Sequence, residues 1–201
     1  MATKSASIML LGLLLTIGGT ANASLITNGT FDTNLDGWVT EPATTTGNRW
    51  VAGTAQVGAP GQNGEAIFSQ AFVILAGTTN LWVSFDYQWQ IDPPQAPDLF
   101  TVELSYATGS GTTTEQLLSQ SSTVGAFGST VSFSDMIALT DLSIASPNGK
   151  ITFTLFETPN SSGAGTRIQL DNVAVVPEPG TLALLGLGLI GFGLSRKKKN
   201  A

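Results

Sequence analysis

Acid–base chemistry in this chain is restricted to carboxylates, because its 201 residues include no histidine and no cysteine. Without imidazole or thiol groups, a Ser-His-Asp arrangement, a cysteine nucleophile and the common zinc ligands are excluded. Glycosidases work with a carboxylate pair, and four acidic residues lie in neighbouring predicted strands and loops: Asp86, Asp92, Asp98 and Glu103. Acidic residues in loops are usually only solvated, so the sequence predicts no catalytic residue and no enzyme.

Tryptophans are the other residues with a specific chemistry to offer, since an exposed ring stacks on the apolar side of a sugar. The candidates for such contact are Trp50, Trp82 and Trp89, and the hydrogen-bonding residues Gln88, Gln90 and Asp92 are close by in sequence. The alternative is that these large side chains fill the core. Trp82 falls on the polar side of its predicted strand and is expected to be exposed, whereas Trp38 is expected to be a core residue.

The charge balance of the central part argues against nucleic acid as a partner. Between Ser24 and Val176, three basic residues face thirteen acidic ones, which leaves a net charge of −10. Such a surface repels phosphate backbones. A neutral or weakly charged polymer is the more plausible partner.

Period-two alternation of apolar and polar residues predicts the elements that position these side chains. The longest example is Leu81 to Trp89, and Phe100 to Tyr106 repeats it. Further strands are predicted near 38–40, 66–72, 113–118, 130–133, 151–156 and 168–175, the last with an irregularity at Asp171-Asn172. About eight strands separated by Gly- and Pro-containing turns predict an all-β domain of two packed antiparallel sheets at residues 24–176.

The first 23 residues are typical of a secretory signal peptide. Lys4 precedes an apolar run from Ile8 to Ile17, and Ala21-Asn22-Ala23 is a small-x-small cleavage site. The run is too short to span about 30 Å of hydrocarbon, although an uncleaved membrane anchor is the alternative. We therefore expect signal peptidase to leave Ser24 as the mature N-terminus.

The other end, residues 177–201, combines three unlike features in order. Pro177-Glu178-Pro179 is rigid and extended, Thr181 to Leu194 is uncharged and apolar, and a basic cluster runs from Arg196 to Lys199. Fourteen helical residues would reach only about 21 Å, short of a full bilayer core. The terminal cations favour the cytoplasmic side of a membrane, so this segment, with a predicted apolar helix at 181–194, can stall in the inner membrane.

This order of features resembles the PEP-CTERM sorting tail. The resemblance implies recognition by an exosortase-type membrane peptidase in a Gram-negative bacterium, cleavage near Pro177-Glu178-Pro179 and release to the cell surface or extracellular matrix. It also implies an association with exopolysaccharide and biofilm. Whether the tail is cleaved or kept as an anchor is left open by the sequence.

The body resembles galactose-binding-like jelly-roll domains, which include carbohydrate-binding modules. The residues that carry the resemblance are Asn28-Gly29-Thr30-Phe31-Asp32 with Gly37-Trp38, the segment Phe68 to Phe72, and Leu170-Asp171-Asn172-Val173. It implies a jelly-roll topology and a structural calcium ion between the first and last strands, with Asp32 and Asp171 as carboxylate ligands. Members of these families usually have Glu at the place of Asp32, and often a second Asp at the place of Asn172.

Together these features predict an exported, noncatalytic surface or matrix protein that is processed at its tail and binds carbohydrate or exopolysaccharide. Two alternatives remain open at this stage. One is a purely structural biofilm matrix protein with no defined ligand, and the other is a carboxylate-dependent, glycoside-active enzyme. An exposed aromatic row on one sheet face would favour ligand binding, and converging carboxylates in one cleft would favour the enzyme.

Overall fold

A computed structural model describes residues 23–41, 48–58, 64–90, 97–122, 127–143, 147–158 and 165–178. These residues contain ten β-strands and no helix, and Ser24–Pro177 forms one compact unit. The strands are β1 (Val39–Glu41), β2 (Arg49–Val51), β3 (Thr54–Val57), β4 (Gly64–Phe72), β5 (Asn80–Gln90), β6 (Leu99–Thr108), β7 (Gly111–Ser121), β8 (Thr130–Ala138), β9 (Gly149–Glu157) and β10 (Arg167–Pro177). The predicted signal peptide and the predicted apolar helix of the tail lie outside the described residues.

The strands form two five-stranded sheets in which all strand pairings are antiparallel. The first sheet has the order β1-β4-β9-β6-β7, and the second has the order β2-β3-β10-β5-β8. Most strands that follow one another along the chain, such as β4 and β5, lie in different sheets, whereas β2 and β3, and β6 and β7, are paired neighbours in one sheet. The expected all-β sandwich of two antiparallel sheets is confirmed.

Alternation along the strands decides which side chains fill the space between the sheets. In β5, the residues from Leu81 to Trp89 at every second position are buried, while Trp82 and the polar residues between them face outward. In β9, Phe153 is fully buried and its ring meets Phe85 edge-on at 5.3 Å between ring centroids. Burying these large rings provides the main driving force for holding the sheets together.

Two of the ten strands have no counterpart in the sequence prediction. β2 and β3 are three and four residues long and are joined by Ala52 and Gly53, which both have positive φ. Val51 pairs with Thr54, so the loop has the two-residue geometry of a type I′ hairpin. Strands this short show too little alternation to be recognised by period.

The irregularity predicted in the last strand is confirmed. The pairing of β10 with β5 shifts between Asp171 and Ala174, and Asn172 at the bulge has a φ of 52°. Asparagine tolerates this left-handed conformation better than most residues. The bulge changes the register, so that the outward-facing residues before and after it both remain on the outer side of the second sheet.

Candidate functional site

The outer face of the second sheet gathers most of the residues predicted to contact a ligand. At one end of this face, Val176 of β10 and Met136 of β8 pair with Trp82 on either side. Trp82 is 48% exposed and Met136 is 49% exposed. These three side chains form an apolar row across three strands, and we call it the Trp82 row.

Polar rows continue from the Trp82 row along the same face. The next row pairs Ser84 with Ala174 and Ser134, which are small side chains that leave the ring of Trp82 accessible from that side. Directly opposed residues on neighbouring strands share a face, so these rows follow from the register. The hydroxyls of Ser84 and Ser134 therefore lie one row from an exposed aromatic ring.

An acidic row follows, in which Asp86 pairs with Asp171 of β10 and with Ser132 of β8. The Ser132 hydroxyl donates to Asp86 Oδ1 at 2.6 Å, and the side-chain amide of Asn172 donates to Asp86 Oδ2 at 2.8 Å. The backbone N–H of Asn172 donates to Asp171 Oδ1 at 2.7 Å. The bulge at Asn172 thus supplies hydrogen bonds to both carboxylates.

The electrostatics of this row act on Asp171. Burial raises the pKa of the Asp171 carboxyl above its ordinary value, and the nearby carboxylates of Asp86 and Asp32 add to the rise. The hydrogen bond from the Asn172 N–H acts in the opposite direction. Ionisation of Asp171 therefore costs more free energy than ionisation of a free carboxyl, and an approaching anion would increase that cost.

A glutamine row completes the face. The Gln90 side-chain amide donates to Gln88 Oε1 at 2.8 Å and to Gln169 Oε1 at 3.0 Å. Gln88, Gln169, Asp86 and Asp171 contribute to the lining of a shallow depression of about 100 Å³. Amide and hydroxyl groups held in this way present both donors and acceptors, as hydroxyl-rich ligands require.

The three tryptophans named from the sequence do not share this face. Trp89 is 1% exposed and lies in the core, so burial removes it from the expected set of sugar contacts. Trp50 is 42% exposed, but it pairs with the buried Ala55 and therefore belongs to the opposite side of its sheet from Trp82. Its indole N–H donates to the Phe31 carbonyl at 2.6 Å. Trp82 is thus the one member of the set on the outer face described above.

Trp38, expected in the core, is partly buried and packs on the core with its ring stacked on Phe68 at 4.5 Å. Its indole N–H donates to the Asn28 carbonyl at 3.1 Å. The ring therefore joins the N-terminal segment to the first sheet.

The carboxylates considered for catalysis are dispersed. Asp98 is buried, and its Oδ1 accepts a hydrogen bond from the Thr158 N–H at 2.7 Å while its Oδ2 accepts one from the Thr166 hydroxyl. Glu103 faces outward on the first sheet, and Asp92 lies outside the described residues. Asp86 does come together with Asp171 on the outer face of the second sheet, a pair the sequence did not indicate because its members are 85 positions apart.

The donors proposed for calcium are only partly assembled. Asp32 is near enough to Asp171 to raise the pKa of that carboxyl, but Asp32 Oδ2 accepts from the Thr30 hydroxyl at 2.8 Å. Calcium takes six to eight oxygen ligands. Within the described part of the chain, no group of three or more His, Cys, Asp or Glu side chains is arranged to hold a metal ion. The remaining ligands would have to be backbone carbonyls and water.

The residues named for processing lie at the limits of the described chain. Ser24 is exposed, and its hydroxyl accepts a hydrogen bond from the Val175 N–H at 3.2 Å. Pro177 is the last residue of β10, and Glu178 follows it. Ala23 is exposed, whereas Ala21 and Pro179 lie outside the described residues.

Residues 175–197 match the family described as the PEP-CTERM protein-sorting motif. The chain carries a PEP-CTERM sorting motif. The motif begins inside β10, at Val175, and it marks an exported protein that is directed to the cell surface. A search of the curated proteins finds no match to the chain. None of the described stretches contains a helix of the length and hydropathy that a membrane span requires.

Solved structures similar to this chain share its fold. The C-terminal family 22 carbohydrate-binding module of Clostridium thermocellum Xyn10B has 12% sequence identity and a TM-score of 0.50, with 79% of this chain and 97% of that chain covered. The tandem CBM22-1-CBM22-2 of Paenibacillus barcinonensis Xyn10C has 13% identity and a TM-score of 0.51, with 80% of this chain and 51% of that chain covered.

The enzymatically active domain of bacteriophage CBA120 tailspike protein 4 has 11% identity and a TM-score of 0.50, and 78% of this chain is covered. The chain spans only 22% of that tailspike chain. At these identities the likeness establishes the fold alone, which is an antiparallel jelly-roll sandwich as expected from the sequence.

Proposed function

We propose that this chain is an exported, noncatalytic protein of the cell surface or extracellular matrix that binds a neutral polysaccharide on the outer face of its second sheet. The observation that carries the proposal is the exposed ring of Trp82, which lies between Met136 and Val176. The serine row lies beside it, and the acidic and glutamine rows follow further along the same face. The sandwich is the fold of carbohydrate-binding modules such as that of Clostridium thermocellum Xyn10B.

The route to the surface has two processing steps. Signal peptidase cleaves after Ala23 during export, and the apolar tail then holds the protein in the inner membrane of a Gram-negative host. An exosortase-type peptidase next acts near Pro177-Glu178-Pro179 and releases the body. The sorting motif at residues 175–197 supports this order of events.

Binding would combine one stacking contact with a set of hydrogen bonds. Rows two residues apart along a strand are separated by about 7 Å, so a sugar stacked on Trp82 has Ser84 and Ser134 beside it. One aromatic contact contributes about 1 kcal/mol. With the hydrogen bonds added, we expect a weak single-site affinity of about millimolar, which corresponds to about −4 kcal/mol. Many copies on one polymer would then provide useful retention.

Charge selects the class of polymer. Asp86 and Asp171 face outward next to the serine row, and the body as a whole carries an excess of acidic residues. An anionic chain would meet repulsion at close range. We therefore assign neutral exopolysaccharide as the ligand class.

The test is retention of purified residues 24–177 on the exopolysaccharide of the producing strain. Trp82→Ala should lower retention, because it removes the stacking surface. Phe156→Ala is the matched control, since Phe156 is an aromatic residue with the same 48% exposure on the other sheet. Equal retention of the two variants would contradict the role of Trp82, and no retention of any variant would favour a structural matrix protein without a defined ligand.

A glycoside-active enzyme is the second candidate, and one observation favours it. Asp171 has a raised pKa and lies directly opposite Asp86, and the general acid of a glycosidase is a carboxyl with a raised pKa beside a second carboxyl. Release of reducing sugar from the same exopolysaccharide, lost in both Asp86→Asn and Asp171→Asn, would replace the noncatalytic proposal. Binding of the exopolysaccharide without release of reducing sugar supports the noncatalytic proposal.

A further inference from the structure

One end of the sandwich carries both termini of the body. Pro177 ends β10 opposite Leu81, and the Leu25 N–H donates to the Val175 carbonyl at 2.7 Å, so residues 24–25 lie beside the end of β10. The loop between β4 and β5, residues 73–79, belongs to the same end, because it leads from Phe72 to Asn80 at the start of β5. We call this the tail end of the sandwich.

The tail end exposes apolar side chains on a well-held loop. Val73 is 45% exposed and Leu75 is 66% exposed, although Ile74 between them is 2% exposed. Asn148 fixes the loop, since its Oδ1 accepts from the Ile74 N–H at 2.6 Å and its Nδ2 donates to the Ile74 carbonyl at 2.9 Å. A loop fixed in this way presents Val73 and Leu75 to the surroundings as a constant feature of the fold.

A tight turn sets the position of Leu75. The Thr78 N–H donates to the Leu75 carbonyl at 3.2 Å, and Gly77 has a φ of 85°. That geometry is a β-turn with glycine at the third position, where positive φ is required. Leu75 therefore occupies the first position of a closed turn at the tip of the loop.

The apolar character extends from this loop onto the sheet. Between Glu65 and Asp86 the chain has no charged residue. The Trp82 row adjoins the loop, because Trp82 is the third residue of β5 and Val176 precedes Pro177. Val73, Leu75, Trp82 and Met136 are all well exposed at this end, and a group of exposed apolar side chains of this kind indicates an interaction site.

The short segment between the body and the apolar run limits how far the tail end can lie from a membrane. In the sequence, only Glu178, Pro179 and Gly180 separate Pro177 from the apolar run that begins at Thr181. Four extended backbone steps reach at most about 14 Å. With the apolar run inserted in a bilayer, the tail end of the sandwich is held within that distance of the lipid surface.

We propose that the tail end docks on the lipid surface while the tail is inserted, with Leu75 and Val73 entering the interfacial region and Trp82 at its border. The inference rests on the proposed insertion of the tail. Tryptophan favours the membrane–water interface, and the uncharged β4–β5 loop avoids the desolvation of charge that docking would otherwise require. Release of the tail would end the docking and expose the Trp82 row to polysaccharide.

The absence of native cysteine makes a site-specific test direct. The full chain is reconstituted into phosphatidylcholine vesicles with one nitroxide-labelled cysteine, at Leu75→Cys or at Phe156→Cys. Phe156 is the control because it pairs with Glu65 and Leu99 at the opposite end of the first sheet and is also well exposed. Collision with a water-soluble nickel chelate should be severalfold lower at position 75 than at position 156, and collision with lipid-dissolved oxygen should be higher.

The outcomes separate the docking inference from the proposed function. Vesicle-bound protein with equal chelate access at positions 75 and 156 overturns docking and leaves the sorting route intact. Protein that does not float with the vesicles overturns tail insertion and docking together. A Leu75→Ser variant that keeps normal retention on polysaccharide but raises chelate access at a cysteine introduced at Val73 supports docking as a role distinct from sugar binding.

Discussion

Trp82 of β5 lies directly opposite Val176 of β10, one residue before Pro177 and the Pro-Glu-Pro of the sorting motif. The exposed aromatic ring of the sheet and the proposed cleavage point are therefore neighbours in the fold, although they are 95 positions apart in the sequence. Processing at the motif would take place beside the surface that we propose for polysaccharide. Because of this relationship, cleavage at the sorting motif and the proposed polysaccharide binding would both involve the same end of the second sheet.

The first prediction concerns export. Cleavage after Ala23 leaves Ser24 at the N-terminus, where its hydroxyl accepts a hydrogen bond from the Val175 N–H. N-terminal sequencing of the exported protein should begin at Ser24. A sequence that still begins at Met1 would contradict the signal peptide and favour an uncleaved anchor.

The second prediction concerns sorting. Replacing Pro177-Glu178-Pro179 with alanines should leave the protein in the inner membrane of a host with an exosortase, because the rigid recognition element is lost. Fractionation and mass analysis of membranes and medium measure the change. Alanines at Thr78-Thr79 are the control, since they leave the motif intact, and unchanged release of the triple-alanine variant would count against exosortase processing.

The third prediction concerns calcium at Asp32 and Asp171, the latter beside the bulge of β10. Calcium that binds Asp32 and Asp171 only in the folded state stabilises that state by about 2.7 kcal/mol when its concentration is 100 times the Kd. The melting temperature therefore rises. Asp32→Asn or Asp171→Asn should abolish that rise. A melting temperature that responds to neither calcium nor chelator rules out the site.

The fourth prediction follows from the raised pKa of Asp171, and its melting experiments are carried out without calcium. A carboxyl whose folded-state pKa exceeds its unfolded value lowers stability once it ionises, so the penalty is absent below the unfolded pKa and complete above the folded pKa. Asp171→Asn should therefore raise the melting temperature at neutral pH, and the gain should vanish towards acid pH. Asp135→Asn is the control, because Asp135 accepts the same kind of bond, from the Met136 N–H at 2.8 Å, on an exposed edge strand. A gain in Asp171→Asn that is independent of pH would contradict the electrostatic explanation.

The fifth prediction concerns the charge of the polymer. Retention on a uronic-acid polysaccharide should be weaker than on a neutral one, and the difference should shrink at high salt because added ions screen Asp86 and Asp171. The double variant Asp86→Asn/Asp171→Asn should narrow the gap at low salt. Affinity electrophoresis in gels containing each polymer measures both effects, and stronger retention on the acidic polymer would overturn the assignment of a neutral ligand.

Local patterns in the sequence were enough for the fold class and for the sorting signal. Alternation from Leu81 to Trp89 predicts which side chains of β5 are buried, because successive side chains of a strand point to opposite faces. It also places Trp82 on the outer side, as observed. The motif at residues 175–197 is likewise a local order of unlike features. Such signals are carried by neighbouring residues and need no knowledge of what packs against them.

Strand register decided the composition of the candidate site, and register depends on contacts between distant parts of the chain. The pairing of Trp82 with Met136 and of Asp86 with Asp171 results from the order β10-β5-β8 in the second sheet. The two-residue turn before β3 places Trp50 opposite Ala55 and so away from Trp82. Each strand shows its two faces in its own sequence, but only the pairing of strands from distant parts of the chain determines which residues of other strands lie beside them.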